Sequence, residues 1–168
     1  MDNTDPYSTH LELLQFIFDY IGKQKNVVEF GMGNFSTKLL LNNSENLVSI
    51  EMQSEDWFNK MVEKFSSNKN WKPLKLLGPN LYTSCFFNNT DFAFIDGHGE
   101  TRPECVNLMF KNKVPVIIAH DTEAGCYGWT RVSEPFEYDS FVFKKHENWS
   151  TVWSTNEDLI NHLKKCLR

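Results

Sequence analysis

The sequence predicts an α/β fold: a three-layer sandwich with helices on a mostly parallel, seven-stranded sheet that ends in an antiparallel hairpin. Three observations predict it. Strand-like apolar runs alternate with helical patterns, the first run closes in a glycine-rich turn, and the last two runs are joined by a connection too short for a helix. At 168 residues the chain suits a single domain, with residues 1–24 as an N-terminal helical segment, 25–155 as the core and 156–168 as a C-terminal helix.

The first helix spans Thr9 to Ile21, where Leu11, Leu14, Phe18 and Ile21 form one stripe, Leu13 and Ile17 widen it, and Gly22 is a natural stop. Strands are expected over 26–30, 47–51, 73–77, 91–96 and 114–119, with helices over 35–42, 54–66 and 101–111. Leu81 to Phe87 reads as a short helix or a loop. Tyr138 to Phe143 and Ser150 to Trp153 form the closing pair. Strands joined by helices imply right-handed crossovers and a ligand crevice at the carboxyl ends of the strands.

Polar motifs gather at those ends. Val27 to Phe30 runs into Gly31-Met32-Gly33, whose glycines allow a tight turn and a close ligand approach, and the following helix start offers free N–H groups. Ser36 stands where a third glycine is usual. Glu51 ends the second run about 20 residues on, where a carboxylate accepts hydrogen bonds from ribose hydroxyls. Asp96-Gly97-His98 and His120-Asp121 end the fourth and fifth runs.

Composition narrows the partners. Hydrophobic residues make up 40% and aromatics 14% of the chain, a packed globule, and no apolar run is long enough to span a membrane. A net charge of −5 argues against nucleic acid and favours a small-molecule substrate. Lys144-Lys145-His146 and Lys164-Lys165 read as a solvated face. Cys85, Cys105, Cys126 and Cys166 lack metal-type spacing and read as reduced thiols, mostly packing residues. With an N-terminus that lacks a basic start and apolar stretch, they suggest a cytoplasmic setting.

In this order, the motifs resemble those of the class I, Rossmann-like S-adenosylmethionine-dependent methyltransferases, over about residues 25 to 155. Glu29-x-Gly31-x-Gly33-x-x-Ser36-Thr37 is similar to the family's first motif, Glu51 to its ribose ligand, Phe92 to Gly97 to its fourth-strand motif, and Val116 to Asp121 to its fifth strand. Gly78-Pro79-Asn80 replaces the acidic residue frequent at the third strand end. The resemblance implies that Glu29, Gly31, Gly33, Ser36, Glu51 and Asp96 serve S-adenosylmethionine. It also implies chemistry by Asp96, His98, His120 and Asp121, with methyl transfer to a hydroxyl oxygen of a small acceptor. Asp96, His120 and Asp121 further resemble the metal-ligand positions of catechol-type O-methyltransferases, which implies a possible divalent ion that lowers the pKa of a bound hydroxyl. A histidine at position 120 would shift preference from magnesium towards manganese, iron or zinc.

Each residue also has a structural reading. Asp96 can cap a turn, His98 can be solvent-exposed instead of a general base, and His120 and Asp121 can satisfy one another internally. Glu123 can join His120 and Asp121 or serve as a first-turn acid, Arg102 can bind an anionic substrate or form a surface pair with Glu100 or Glu104, and Trp57 can flank the adenine or take an apolar helix position facing the sheet, the second reading being preferred in each case. Tyr127, Trp129 and Phe136 are candidates for an acceptor pocket or for the core. His10, His146 and His162 have no partner readable from sequence. The competing functions are a cofactor-binding subunit without transfer, an enzyme that cleaves the cofactor, and a nicotinamide oxidoreductase, which the closing hairpin disfavours.

Overall fold

A computed structural model describes residues 8–76 and 87–167. In chain order it contains α1 (Leu11–Ile21), β1 (Gln24–Phe30), α2 (Ser36–Asn42), β2 (Ser44–Glu51), α3 (Glu55–Phe65), β3 (Trp71–Lys75), β4 (Phe92–Ile95), α4 (Arg102–Lys111), β5 (Val116–His120), β6 (Asp139–Phe143), β7 (Ser150–Ser154) and α5 (Glu157–Cys166). Gly78-Pro79-Asn80, Cys85 and most of the undecided 81–87 segment lie outside the described residues. The third strand begins at Trp71, two residues before the expected start; Pro73 within it sits opposite Ser49 on an edge strand, where a missing N–H is tolerated.

The seven strands form one sheet in the order β3-β2-β1-β4-β5-β7-β6. β1 pairs in parallel with β2 and β4, β2 with β3, and β4 with β5, while β7 runs antiparallel to β5 and β6. Alternation along the central strands divides the core in two. Val27, Phe92, Phe94 and Ile118 face a cluster that holds Leu14, Phe18, Leu40, Met61 and Leu163 from α1, α2, α3 and α5. Val28, Phe30, Ile95 and Ile117 face Val106, Met109 and Phe110 of α4. The result is the three-layer sandwich that the sequence predicts.

Burial on both faces explains why β4 and β5 are continuous apolar runs. Their polar content is pushed to the carboxyl edge, where the chain leaves the core. Ser54 and Asn156 cap α3 and α5 by accepting from Trp57 and Leu159 N–H, in each case three residues on. Among the described residues, no helix is long and apolar enough to cross a membrane.

Candidate active site

The turn after β1 is held from below by a buried carboxylate. Glu29 is fully buried and accepts hydrogen bonds from Ser36 Oγ (2.7 Å), Thr37 Oγ1 (2.8 Å) and Ser49 Oγ (2.6 Å). Thr37 Oγ1 in turn accepts from Gly33 N–H at 3.0 Å. Glu29 therefore shapes the glycine turn instead of lining a cavity, and Ser36 Oγ is spent on it. Burial pushes the Glu29 carboxyl up to about 7 against the three hydroxyls. Gly31 has φ +92°, and a Cβ there would lie 2.5 Å from the Asp96 carbonyl oxygen, so only glycine lets β1 and β4 close at this edge.

Two adjoining cavities of about 600 and 230 Å³ open at this edge and share Gly31, Met32, Trp57 and Asp96. Gly33, Ser36, His120 and Asp121 line the larger one, and Glu51 the smaller. Glu51 is buried, and its Oε1 is fixed by Gln53 N–H (2.7 Å) and Ser54 N–H (3.2 Å). Trp57 is not confined to the sheet-facing position expected: its indole donates to Met32 O at 2.7 Å and its side chain reaches both cavities.

Arg102 is the main residue that sequence reasoning misplaces. It is buried and not at the surface. Nε donates to Gly97 O (2.9 Å), and Nη1 to both His120 O (2.7 Å) and Asp121 Oδ2 (2.8 Å), while Nη2 pairs with Asp96 Oδ1 at 3.0 Å. Of the local acids expected to bind it, Glu104 pairs instead with Arg131, which also donates to the backbone carbonyl of Glu100. Tyr127 lies under the Arg102 guanidinium, 5.0 Å from ring centre to carbon, and Trp129 donates to Asp121 O. Neither lines a cavity, so both support the site from behind. Phe136 is fully exposed, and Glu123 accepts from Trp149 N–H instead of starting a helix.

His98 is exposed and lines neither cavity. Gly97 O is tied to Arg102 and His98 O accepts from Thr101, which fixes the turn with the imidazole outside. The structure instead brings in His10 and Asn148, for which the sequence offers no signal. Asn148 donates to Asp121 Oδ1 at 2.5 Å. Of the cysteines, Cys105 is buried, with its thiol pushed up to about 12 by burial, while Cys126 and Cys166 are exposed and not packing residues.

The titratable groups share a low-dielectric corner. Burial raises Asp96 to about 7, opposed by Arg102 and reinforced by Asp121. Burial also lowers His120 to about 4 and His10 to about 3, so both rings are neutral. Asp121 is pushed up by burial, but the Asn148 hydrogen bond, His120 and Arg102 outweigh this and hold it below the usual carboxylate range. Its backbone is left-handed, φ +56°, a conformation that aspartate tolerates better than most residues.

Asp96, His120 and Asp121 present ligand atoms within 4.8 Å of one another, as a metal site requires. Most of their ligand atoms are already engaged, and among the described residues Asp96 Oδ2 alone has no hydrogen bond. Arg102 holds Asp96 Oδ1 and Asp121 Oδ2, Asn148 holds Asp121 Oδ1, and His120 meets Ser150 Oγ (2.9 Å) and Thr9 Oγ1 (3.2 Å). A guanidinium between two carboxylates also repels a dication. As arranged, this donor set does not fit a divalent ion.

No protein-family model and no curated protein matches the sequence. Solved structures do match the fold. An O-methyltransferase from Bacillus cereus in complex with S-adenosylhomocysteine aligns at TM-score 0.66 and 18% identity, covering 90% of this chain and 82% of that one. The N-methyltransferase NodS from Bradyrhizobium japonicum aligns at TM-score 0.60 and 13% identity, covering 91% and 97%. The O-methyltransferase TomG from Streptomyces achromogenes, in complex with S-adenosylmethionine, aligns at TM-score 0.60 and 14% identity, covering 79% and 74%. With its strand order, closing hairpin and glycine turn over a buried carboxylate, the chain has the Rossmann-like fold of the S-adenosylmethionine-dependent methyltransferases.

Proposed function

We propose that this protein transfers a methyl group from S-adenosylmethionine to a hydroxyl oxygen of a small molecule, without a metal ion. The observation that carries the reading is Asp96. It borders both cavities, and its Oδ2 has no hydrogen bond among the described residues while Oδ1 is held by Arg102.

The paired cavities suit a two-part ligand, and the larger lies within the size range of small-molecule sites. Glu51 would hold the ribose, and the Gly31–Gly33 turn, shaped by Glu29 and Ser36, would receive the amino-acid end. When bound, S-adenosylmethionine supplies the methyl: the carbon–sulfur bond breaks, its electron pair stays on sulfur, and the acceptor oxygen forms the new bond to carbon. The chain's own task is to orient that oxygen and take its proton. Asp96 Oδ2 is placed for this, and a carboxyl raised to about 7 accepts a proton near neutral pH without being a permanent acid. Arg102 keeps Asp96 turned inwards, and His120 and Asp121 are positioning residues that fix Arg102 and close the floor.

Calorimetric titration tests the cofactor half. Saturable binding of S-adenosylmethionine, with none of a nicotinamide dinucleotide, is expected, and Glu51→Ala should weaken it about ten-fold or more, the value of a charge-assisted hydrogen bond. Absence of binding by the intact protein removes the reading.

A further inference from the structure

The corner of the larger cavity holds two imidazoles in opposite states. His120 has both ring nitrogens engaged, by Ser150 and Thr9. His10 is only 3% exposed, and neither of its ring nitrogens has a hydrogen-bond partner among the described residues. Its ring is wedged by Phe94 (centroids 5.0 Å apart) and by the edge of His120 (5.1 Å), and it lines the cavity. Leaving a buried polar atom unpaired costs about 1–3 kcal/mol, so two on one side chain call for a ligand. Asp96 Oδ2, which has no hydrogen bond among the described residues, lies 3.8 Å from His10 Nδ1. That gap is too long for a hydrogen bond and short enough for one oxygen atom to touch both.

We propose that His10 and Asp96 together form the seat of the acceptor hydroxyl, and that the acceptor is a neutral hydroxylated molecule. The inference rests on the methyl-transfer reading and adds the acceptor class to it. A neutral imidazole offers one N–H donor and a carboxylate only acceptors. A hydroxyl matches this pair: its proton goes to Asp96 Oδ2, one lone pair accepts the His10 N–H, and the second lone pair remains to attack the methyl carbon. A neutral amine has a single lone pair, so accepting from His10 would consume its nucleophile. An anionic acceptor finds no spare cation among the described residues that line the cavity, because Arg102 is taken up by two carboxylates and two backbone carbonyls.

The test uses the full chain saturated with S-adenosylhomocysteine, and the probes are glycerol, catechol and aniline, an amine that is neutral at pH 7. Imidazole ¹⁵N resonances are followed by NMR in the wild type and in His10→Phe and His10→Gln. Glycerol or catechol should shift the His10 signals saturably, aniline should not, and His10→Phe should weaken the hydroxyl probe about ten-fold with S-adenosylhomocysteine affinity unchanged. A structural role predicts something else. If His10 only packs, His10→Phe lowers the melting temperature; if it awaits a ligand, replacing two unmet polar atoms with carbon holds or raises it. The proposal is overturned if neither hydroxyl probe reaches His10, if aniline alone does, or if probe affinity is the same in both variants. Failure of S-adenosylhomocysteine to bind removes the cofactor reading separately, since the His10 signals can be titrated in the free protein.

Discussion

Arg102 makes four polar contacts from one position: it joins the Gly97 turn, the end of β5 and two carboxylates. Lysine keeps the charge but lacks the planar fork, so it can serve only part of this set. Arg102→Lys should lower stability by about 3 kcal/mol, the cost of partly stranding a buried ion pair, read as a lower urea midpoint at unchanged slope. Such a role was not legible in the sequence, because Arg102 has acids two positions either side that offer a local explanation, and only in the folded chain does Glu104 turn to Arg131. His10 escaped for a related reason: its neighbours Asp96 and His120 lie in other elements, and only the sheet order brings them together. Glu29 was legible as part of the turn, although its carboxylate works beneath the turn and not in the cavity.

At the scale of elements, β1 and β4 meet edge to edge where Gly31 passes the Asp96 carbonyl. Gly31→Ala should cost about 2 kcal/mol or more, since it combines an unfavourable positive φ with a clash against backbone that cannot rotate away. Cofactor affinity should fall further than stability, because relief of the clash would spread the turn that Glu29 shapes. Comparing calorimetric affinity with the melting temperature of the same variant separates the two effects. Elements were the best-read level of the sequence. β4 and β5 are buried on both faces and read as unbroken apolar runs, while α3 and α5 carry polar caps and amphipathic stripes. The shift at β3 reflects its place at the sheet edge, where the apolar signal is weak and Pro73 blurs the start.

For the whole molecule, the buried groups set an unusual proton balance. Glu29 and Asp96 are raised to about 7, so between about pH 4.5 and 6.5 the native state holds two protons that the unfolded chain has lost. His10 and His120 are lowered to about 3 and 4, so over the same range the native state lacks two protons that the unfolded chain carries. The raised acids make stability fall as pH rises, the depressed histidines make it rise, and the two slopes cancel. Stability measured by urea unfolding should be nearly flat from pH 4.5 to 6.5 and drop below about pH 4, where only the histidine effect remains. Removing one histidine breaks the balance: His10→Phe should show stability falling by about 1.4 kcal/mol per pH unit as pH rises over that range. His10 sits just ahead of α1, before the first strand of the sheet. Leu13, Leu14, Ile17 and Phe18 anchor α1 in the core directly behind it, so on the proposed reading acceptor choice would be retuned by point substitution at position 10 and not by exchanging the helix.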